Sequence, residues 1–207
     1  MSNGNGYSGK EASRMNEDYK YYNHPLLLVP YTPDIPGTSS DVCMMEAYRR
    51  MHDEGLYEIV FHDNPTLTLG RYMAWFNSPH VLAQFVYKYN DDASTEDMAG
   101  MIWLSNIEQC GNVGRGAASF VVFRDHQDGV TPVAIAKLGL KYWFEGLGVD
   151  IVTGTTPILN RAATAFIHRI GMKQIGVIPK YANYRGKVSD ALITYVDKDT
   201  YSAKSKA

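Results

Sequence analysis

The 207-residue chain contains only two cysteines, Cys43 and Cys110, and neither stands in a CxxC pair or at metal-ligand spacing. The two could in principle pair with each other, but two free thiols in a reducing compartment are expected. No apolar run approaches the ~20 residues that a membrane-crossing helix requires. The first twenty residues are mostly Gly, Ser, Asn and charged side chains, without the apolar stretch of a secretory signal, so a cytoplasmic location is expected. Charge of one sign is lacking too. The 20 Lys and Arg nearly balance the 22 Asp and Glu, for a formal net charge of −2. A generic nucleic-acid or anionic-membrane surface is not indicated by such a balance. Absent as well is a strand–Gly-x-Gly-x-x-Gly–helix unit, which sets aside a dinucleotide-binding redox protein.

What is present is an ordinary globular composition, 45% hydrophobic and 20% charged, with an unusual 15 tyrosines. Such rings suit half-buried and interface positions. The length fits one domain. Residues 1–24 read as a flexible arm whose Tyr19, Tyr21 and Tyr22 would gain from docking on a protein partner, 25–198 as the folded domain, and 199–207 as a flexible tail.

From Leu26 the pattern alternates between strand and helix. Leu26–Val29 is a short buried strand ended by Pro30. Ser40 or Asp41 caps a helix to about Glu54, with Gly55 as its stop. Tyr57–Phe61 is ambiguous. Asn64 as N-cap and Pro65 at the first helical position predict a second helix to about Asn77. His80–Tyr89, Ala99–Ile107 and Ala117–Arg124 are strand-like, with an acidic loop over Asn90–Asp97. Thr131 as N-cap and Pro132 predict a helix to Glu145, followed by a strand at Val149–Thr153 and a loop at Thr155–Leu159. A helix from Asn160 to Ile170 and strands at Gln174–Pro179 and Ala191–Asp197 complete the order β-α-α-β-β-β-α-β-α-β-β. The fold class expected is α/β (α+β), a mixed, mostly antiparallel sheet flanked by helices. The Gly111-x-x-Gly114-x-Gly116 run looks like a phosphate cradle, but it precedes a strand and is read as a mobile loop.

The stretch from Val152 carries more information. Its Asn160, Ala163, Gly171 and Met172 resemble the strand–Asn–helix signature of the GNAT N-acetyltransferases, in which an Ala and a closing Gly-Phe follow the Asn at these intervals. Gly176, Gly186 and Asp190 are similar to the ending of the ribosomal-protein-acetylating branch, and phage-encoded acetyltransferase-like proteins are similar as well. The resemblance implies acetyl-CoA as cofactor and a primary amine, of a protein or a small molecule, as acceptor. It implies a pyrophosphate site at the helix following Arg124–Thr131, formed by Gln127, Gly129, Val130 and Thr131. Free N–H groups and a favourable dipole make a helix N-terminus an anion site. The loop keeps Gln127 and Gly129, lacks the family's second Gly, and adds Asp125 and Asp128. By the same resemblance, backbone groups of Phe120, Val121, Val122 and Phe123 would bond the pantetheine amides, and Asn160 would contact the arm; as a residue alone, Asn160 is also a good N-cap.

Acyl transfer needs a base for the ammonium proton and an acid for the leaving thiolate. The family's acid, a Tyr seven residues after the Asn, is replaced here by Ile167, and His168 next to it points elsewhere on the helix. Glu108 is the best-placed carboxylate for the base and His126 the second candidate. Two functions follow: an acetyl-CoA-dependent N-acetyltransferase, or a catalytically degenerate GNAT-like domain serving as a structural or interaction module, for instance in a phage particle. The aromatic hairpin region suits a homo-oligomer.

Overall fold

The computed structural model describes residues 26–32, 39–62, 68–89 and 96–205. The N-terminal arm, Asn64 with Pro65, and most of the acidic loop lie outside them. Seven strands form one sheet in the order β1-β2-β3-β4-β5-β7-β6. They are β1 (Leu26–Pro30), β2 (Leu82–Tyr89), β3 (Glu96–Cys110), β4 (Val113–Val122), β5 (Ile151–Pro157), β6 (Lys173–Tyr184) and β7 (Lys187–Asp197). Among the described residues six α-helices accompany them: α1 (Ser39–Asp53), α2 (Tyr57–Val60), α3 (Leu69–Phe76), α4 (Thr131–Lys141), α5 (Arg161–Arg169) and α6 (Lys198–Ser205).

Strand alternation divides the core in two. Met101, Trp103, Val121 and Phe123 point to one face and pack with Met44, Met51, Tyr57, Tyr72 and Phe76 of the first three helices. Ile102, Leu104 and Val152 point to the other, against Ile135, Leu140, Trp143 and Ile167. The expected order holds, with two additions. The ambiguous Tyr57–Phe61 segment is a single helical turn, α2, and the expected C-terminal tail is helical through Ser205. Asp197 caps that helix by accepting from the Thr200 N–H and hydroxyl at 2.6 and 2.8 Å, and Tyr201 packs on Phe144.

Several boundaries differ for local reasons. The described part of α3 begins at Leu69 behind an extended Thr68. Thr155–Pro157, expected as loop, continues β5 because it pairs with Ala191–Ile193 of β7. Gly111, at φ 63°, turns the β3–β4 hairpin, and Gly114 and Gly116 belong to β4 itself rather than to a mobile loop. Thr131 is the first residue of α4 and not its cap. The chain continues from α4 into a π-turn at Tyr142–Gly146, where Trp143 and Phe144 are buried. Asp190, part of the C-terminal sequence resemblance, accepts from the Lys180 N–H at 2.8 Å and so fixes the irregular stretch of β6 where Lys180 has φ 51°. Cys43 and Cys110 are free thiols. Among the described residues no helix is long and apolar enough to cross a membrane, and no cluster of ligating side chains suits a metal.

Candidate functional site

Only one neighbouring pair in the sheet is parallel, β4 with β5, and it is short: Arg115–Ala117 pair with Ile151–Thr153. β4 then continues along β3 to Val122, while β5 leaves with β7. The two strands splay, and the sheet opens into a gap at Ala118–Val122.

The peptide groups facing that gap follow from alternation, because successive residues of a strand direct their N–H and C=O to opposite neighbours. The carbonyls of Gly114 and Gly116 accept from Asp150 and Thr153 on the β5 side. Ala117 O accepts from Ser105 on β3, and the Phe123 N–H donates to Ala99 O, also on β3. Even-numbered residues therefore present their peptides to the gap. Of the four residues expected to do so, Phe120 and Val122 qualify, with Ala118 in addition. Val121 and Phe123 are turned to β3. Gln127 already reaches in, donating from Nε2 to Val122 O at 2.7 Å.

Three adjoining cavities run through the gap. The outer one, about 520 Å³, is floored by Phe120, Val122, Ala163 and Phe166 and carries Arg124, Arg169 and Arg185. Gln127, Gly129 and Asn160 line it too, and among the described residues no carboxylate does. A narrow middle cavity of about 130 Å³ lies between α2 and α5, bordered by Ser119, Phe120, Thr155, Asn160 and Ile167. An inner chamber of about 340 Å³ is walled by Phe61, His62, Trp75, Trp103 and Tyr181, with Ser105, Asn106, Ser119 and Thr155 adding polar atoms. The β3 bulge, where Asn106 has φ 51°, shapes one side of this chamber.

The mouth is held by ordinary forces. Arg124 donates from its N–H to Glu54 Oε2 at 2.7 Å and from Nε to Glu54 O at 2.8 Å. Arg50 reaches Glu54, Asp125 and the Phe123 ring, tying α1 to the β4–α4 loop. Arg169 donates to Gly129 O at 3.1 Å. The tip of the β6–β7 hairpin brings Tyr184 and Arg185 over the same opening.

The N-terminus of α4 differs from the expected open anion site. Asp128 Oδ1 accepts from the N–H groups of Val130 and Thr131 at 2.9 and 2.6 Å, and Oδ2 accepts from the Thr131 hydroxyl at 2.6 Å. Partial burial opposes the charge, but the bonds from Thr131 and Val130, with Lys88 at 3.6 Å, hold its carboxyl well below the usual range. The chain's own carboxylate thus caps the helix end where the sequence resemblance implies a phosphate. Thr131 is fully buried in this cap and Val130 is exposed; neither lines the three cavities.

The two expected proton-transfer residues stand apart from the gap. Glu108 is an exposed side chain paired with Arg115 at 2.6 Å. Arg115 lies three residues before the gap opens, about 10 Å along the strand. His126 is buried in the turn after β4, its Nε2 3.8 Å from Asp125, and lines none of the three cavities. The imidazole that does line the middle and inner cavities is His62, whose ring centroid is 6.3 Å from that of Tyr181 and whose carbonyl accepts from the Asn183 N–H at 3.4 Å. No motif surrounds His62 in the sequence; only the fold brings it to the gap. Asn160 lines the outer and middle cavities, and its Oδ1 caps α5 through the Ala163 N–H at 3.1 Å.

The overall fold is shared with solved structures. The spermidine N-acetyltransferase from Vibrio cholerae in complex with CoA and spermine superposes with a TM-score of 0.66 over 85% of this chain and 97% of its own, at 13% identity. The chain has the GNAT N-acetyltransferase fold. The spermidine/spermine N-acetyltransferase of the same organism in complex with manganese ions superposes with a TM-score of 0.56, over 66% of this chain and 76% of its own, at 15% identity. No protein-family model and no curated protein sequence matches the chain.

Proposed function

We infer that this GNAT-fold chain is an acetyl-CoA-dependent N-acetyltransferase that acylates a primary amine. The observation carrying this reading is the row of adjoining cavities at the splayed sheet, cationic at its mouth and lined by aromatic and uncharged polar side chains at its inner end. The residues fit such a ligand in part. Ala118 and Phe120 offer peptide groups to an extended amide-bearing arm, and the amide nitrogen of Asn160 adds a donor while its oxygen is engaged as the cap. The phosphates would meet Arg124, Arg169 and Arg185 instead of the α4 N-terminus, which Asp128 fills. Bound acetyl-CoA would supply an activated thioester. His62 borders the place where the amine would arrive and takes the proton it loses as the C–N bond forms. Ser119 and Thr155 put hydroxyls beside the middle cavity, where the leaving sulfur would be stabilised; Ile167 contributes only apolar wall.

Calorimetric titration with acetyl-CoA tests the reading. Micromolar binding is expected, with Asn160→Asp weakening it about 3- to 10-fold, the worth of one hydrogen bond. Asp is itself a good N-cap, so the thermal midpoint should hold. Absence of binding at millimolar acetyl-CoA would overturn the reading.

A second reading, a GNAT-shaped binding module without turnover, is favoured by one observation, the intramolecular cap of Asp128. Asp128→Ala separates the two. For an enzyme it should tighten acetyl-CoA about 3- to 10-fold by freeing N–H donors and removing a charge. The helix should lose about 1 kcal/mol with its cap. A variant that still binds no acetyl-CoA identifies the module. In the native chain the cap contributes fully at neutral pH and is lost as pH falls through the acid range, since the folded-state carboxyl is held below its ordinary value of 3.8.

A further inference from the structure

The inner chamber has a chemistry of its own, and it differs from what a polyamine would need. A linear polycation is recognised by carboxylates spaced along its length. Among the described residues, no Asp or Glu lines the chamber or the passage to it. Its walls combine aromatic rings with the polar, uncharged side chains of Ser105, Asn106, Ser119 and Thr155. Phe61 stacks on Trp103 with centroids 5.7 Å apart and an interplanar angle of 9°. Trp75 stands edge-on to both, at 5.9 and 6.1 Å. Across the chamber Tyr181 projects from β6, 46% exposed, beside the His62 ring.

Resting on the acetyltransferase reading, we propose that the acceptor is a primary amine carried on a single aromatic body, without further cationic groups. A flat ring fits between Trp75 and Tyr181 in the offset and edge-to-face geometries that aromatic pairs favour. Its ammonium, before losing a proton, is attracted to the Trp and Tyr faces. The hydroxyls of Ser119 and Thr155 then border the amine end, toward the middle cavity, and His62 lies within the same wall. The chamber volume of about 340 Å³ suits a molecule of roughly the size of an arylalkylamine and is short for an extended tetraamine.

Trp75 and Trp103 make the chamber self-reporting, because the third tryptophan of the chain, Trp143, is buried in the opposite layer. The test titrates phenethylamine, propylamine and spermidine into the full chain and follows tryptophan emission, in parallel with calorimetry of acetyl-CoA alone. Phenethylamine should alter the emission with an affinity at least tenfold above propylamine and spermidine. Tyr181→Ala, an exposed change, and Trp75→Phe should each weaken phenethylamine about 3- to 10-fold while acetyl-CoA binding is unchanged. Equal or tighter binding of spermidine, or indifference of phenethylamine to both substitutions, would overturn the proposal. If acetyl-CoA binds and phenethylamine does not, the acceptor assignment falls and the acetyltransferase reading stands. If phenethylamine binds and acetyl-CoA does not, the chamber assignment stands and the enzyme reading falls.

Discussion

His62→Gln should lower kcat by about 10²- to 10⁴-fold, the usual contribution of a positioned general base, while leaving acetyl-CoA affinity within about twofold of the native chain. Glutamine retains the side chain's bulk and hydrogen-bonding ability but accepts no proton at working pH. The measurement is steady-state acetylation of an aromatic amine, paired with calorimetry. Glu108→Gln and His126→Gln serve as controls, because Glu108 is spent on Arg115 and His126 is closed off in its turn. Both should keep most of the native rate. A His62→Gln variant with native kcat would shift the proton-accepting role to solvent, and a large loss in Glu108→Gln would restore the carboxylate expected from sequence.

Gly100→Ala should be the most damaging single-methyl change among the sheet glycines. A Cβ at Gly100 would lie 2.1 Å from Val121 O and 3.1 Å from Val122 Cα, both backbone atoms of the paired strand β4. Neither can swing aside as a side-chain tip can, so β3 and β4 would have to part where they hold the floor of the outer cavity. Overpacking of this kind costs about 3 kcal/mol. For a chain of this length that lowers Tm by about 6–12 °C. Gly70→Ala is the matched control: an added Cβ there meets nothing within 4 Å. In a helix it should stabilise by up to about 1 kcal/mol. Thermal unfolding of the two variants decides the point, and equal midpoints would refute the steric account.

The architecture was largely legible because its signals are local. Pro30, Gly55, Pro132 and Gly171 mark ends of elements, and the runs between them keep the strand or helix period. The short α2 was ambiguous because a single turn has no period to read. The helical end at Lys198–Ser205 was missed because its stability comes from Asp197 capping and from Tyr201 packing on Phe144, contacts that exist only after folding. The site divides along the same line. Asn160 and Gln127 each belong to a pattern local to its own stretch of chain, and Phe120 follows from the resemblance those patterns carry. His62, Trp75, Trp103 and Tyr181 come from four separate elements and carry no motif between them. In the sequence Asp128 is only an added acid in the loop before α4; that it occupies the helix end itself follows from its geometry.

The gap between β4 and β5 also bears on how such a protein can change over time. Where recognition is performed by main-chain amides and carbonyls, any residue able to lie in a strand performs it equally well. Selection then sees the path of the backbone more sharply than the identity of the side chains hung upon it. A lineage built on such a device can replace most of its letters while the ligand's binding track endures, so that kinship is preserved in shape long after it has faded from spelling. The match to a spermidine acetyltransferase over 97% of that protein at 13% identity shows how little sequence two chains of one fold need share.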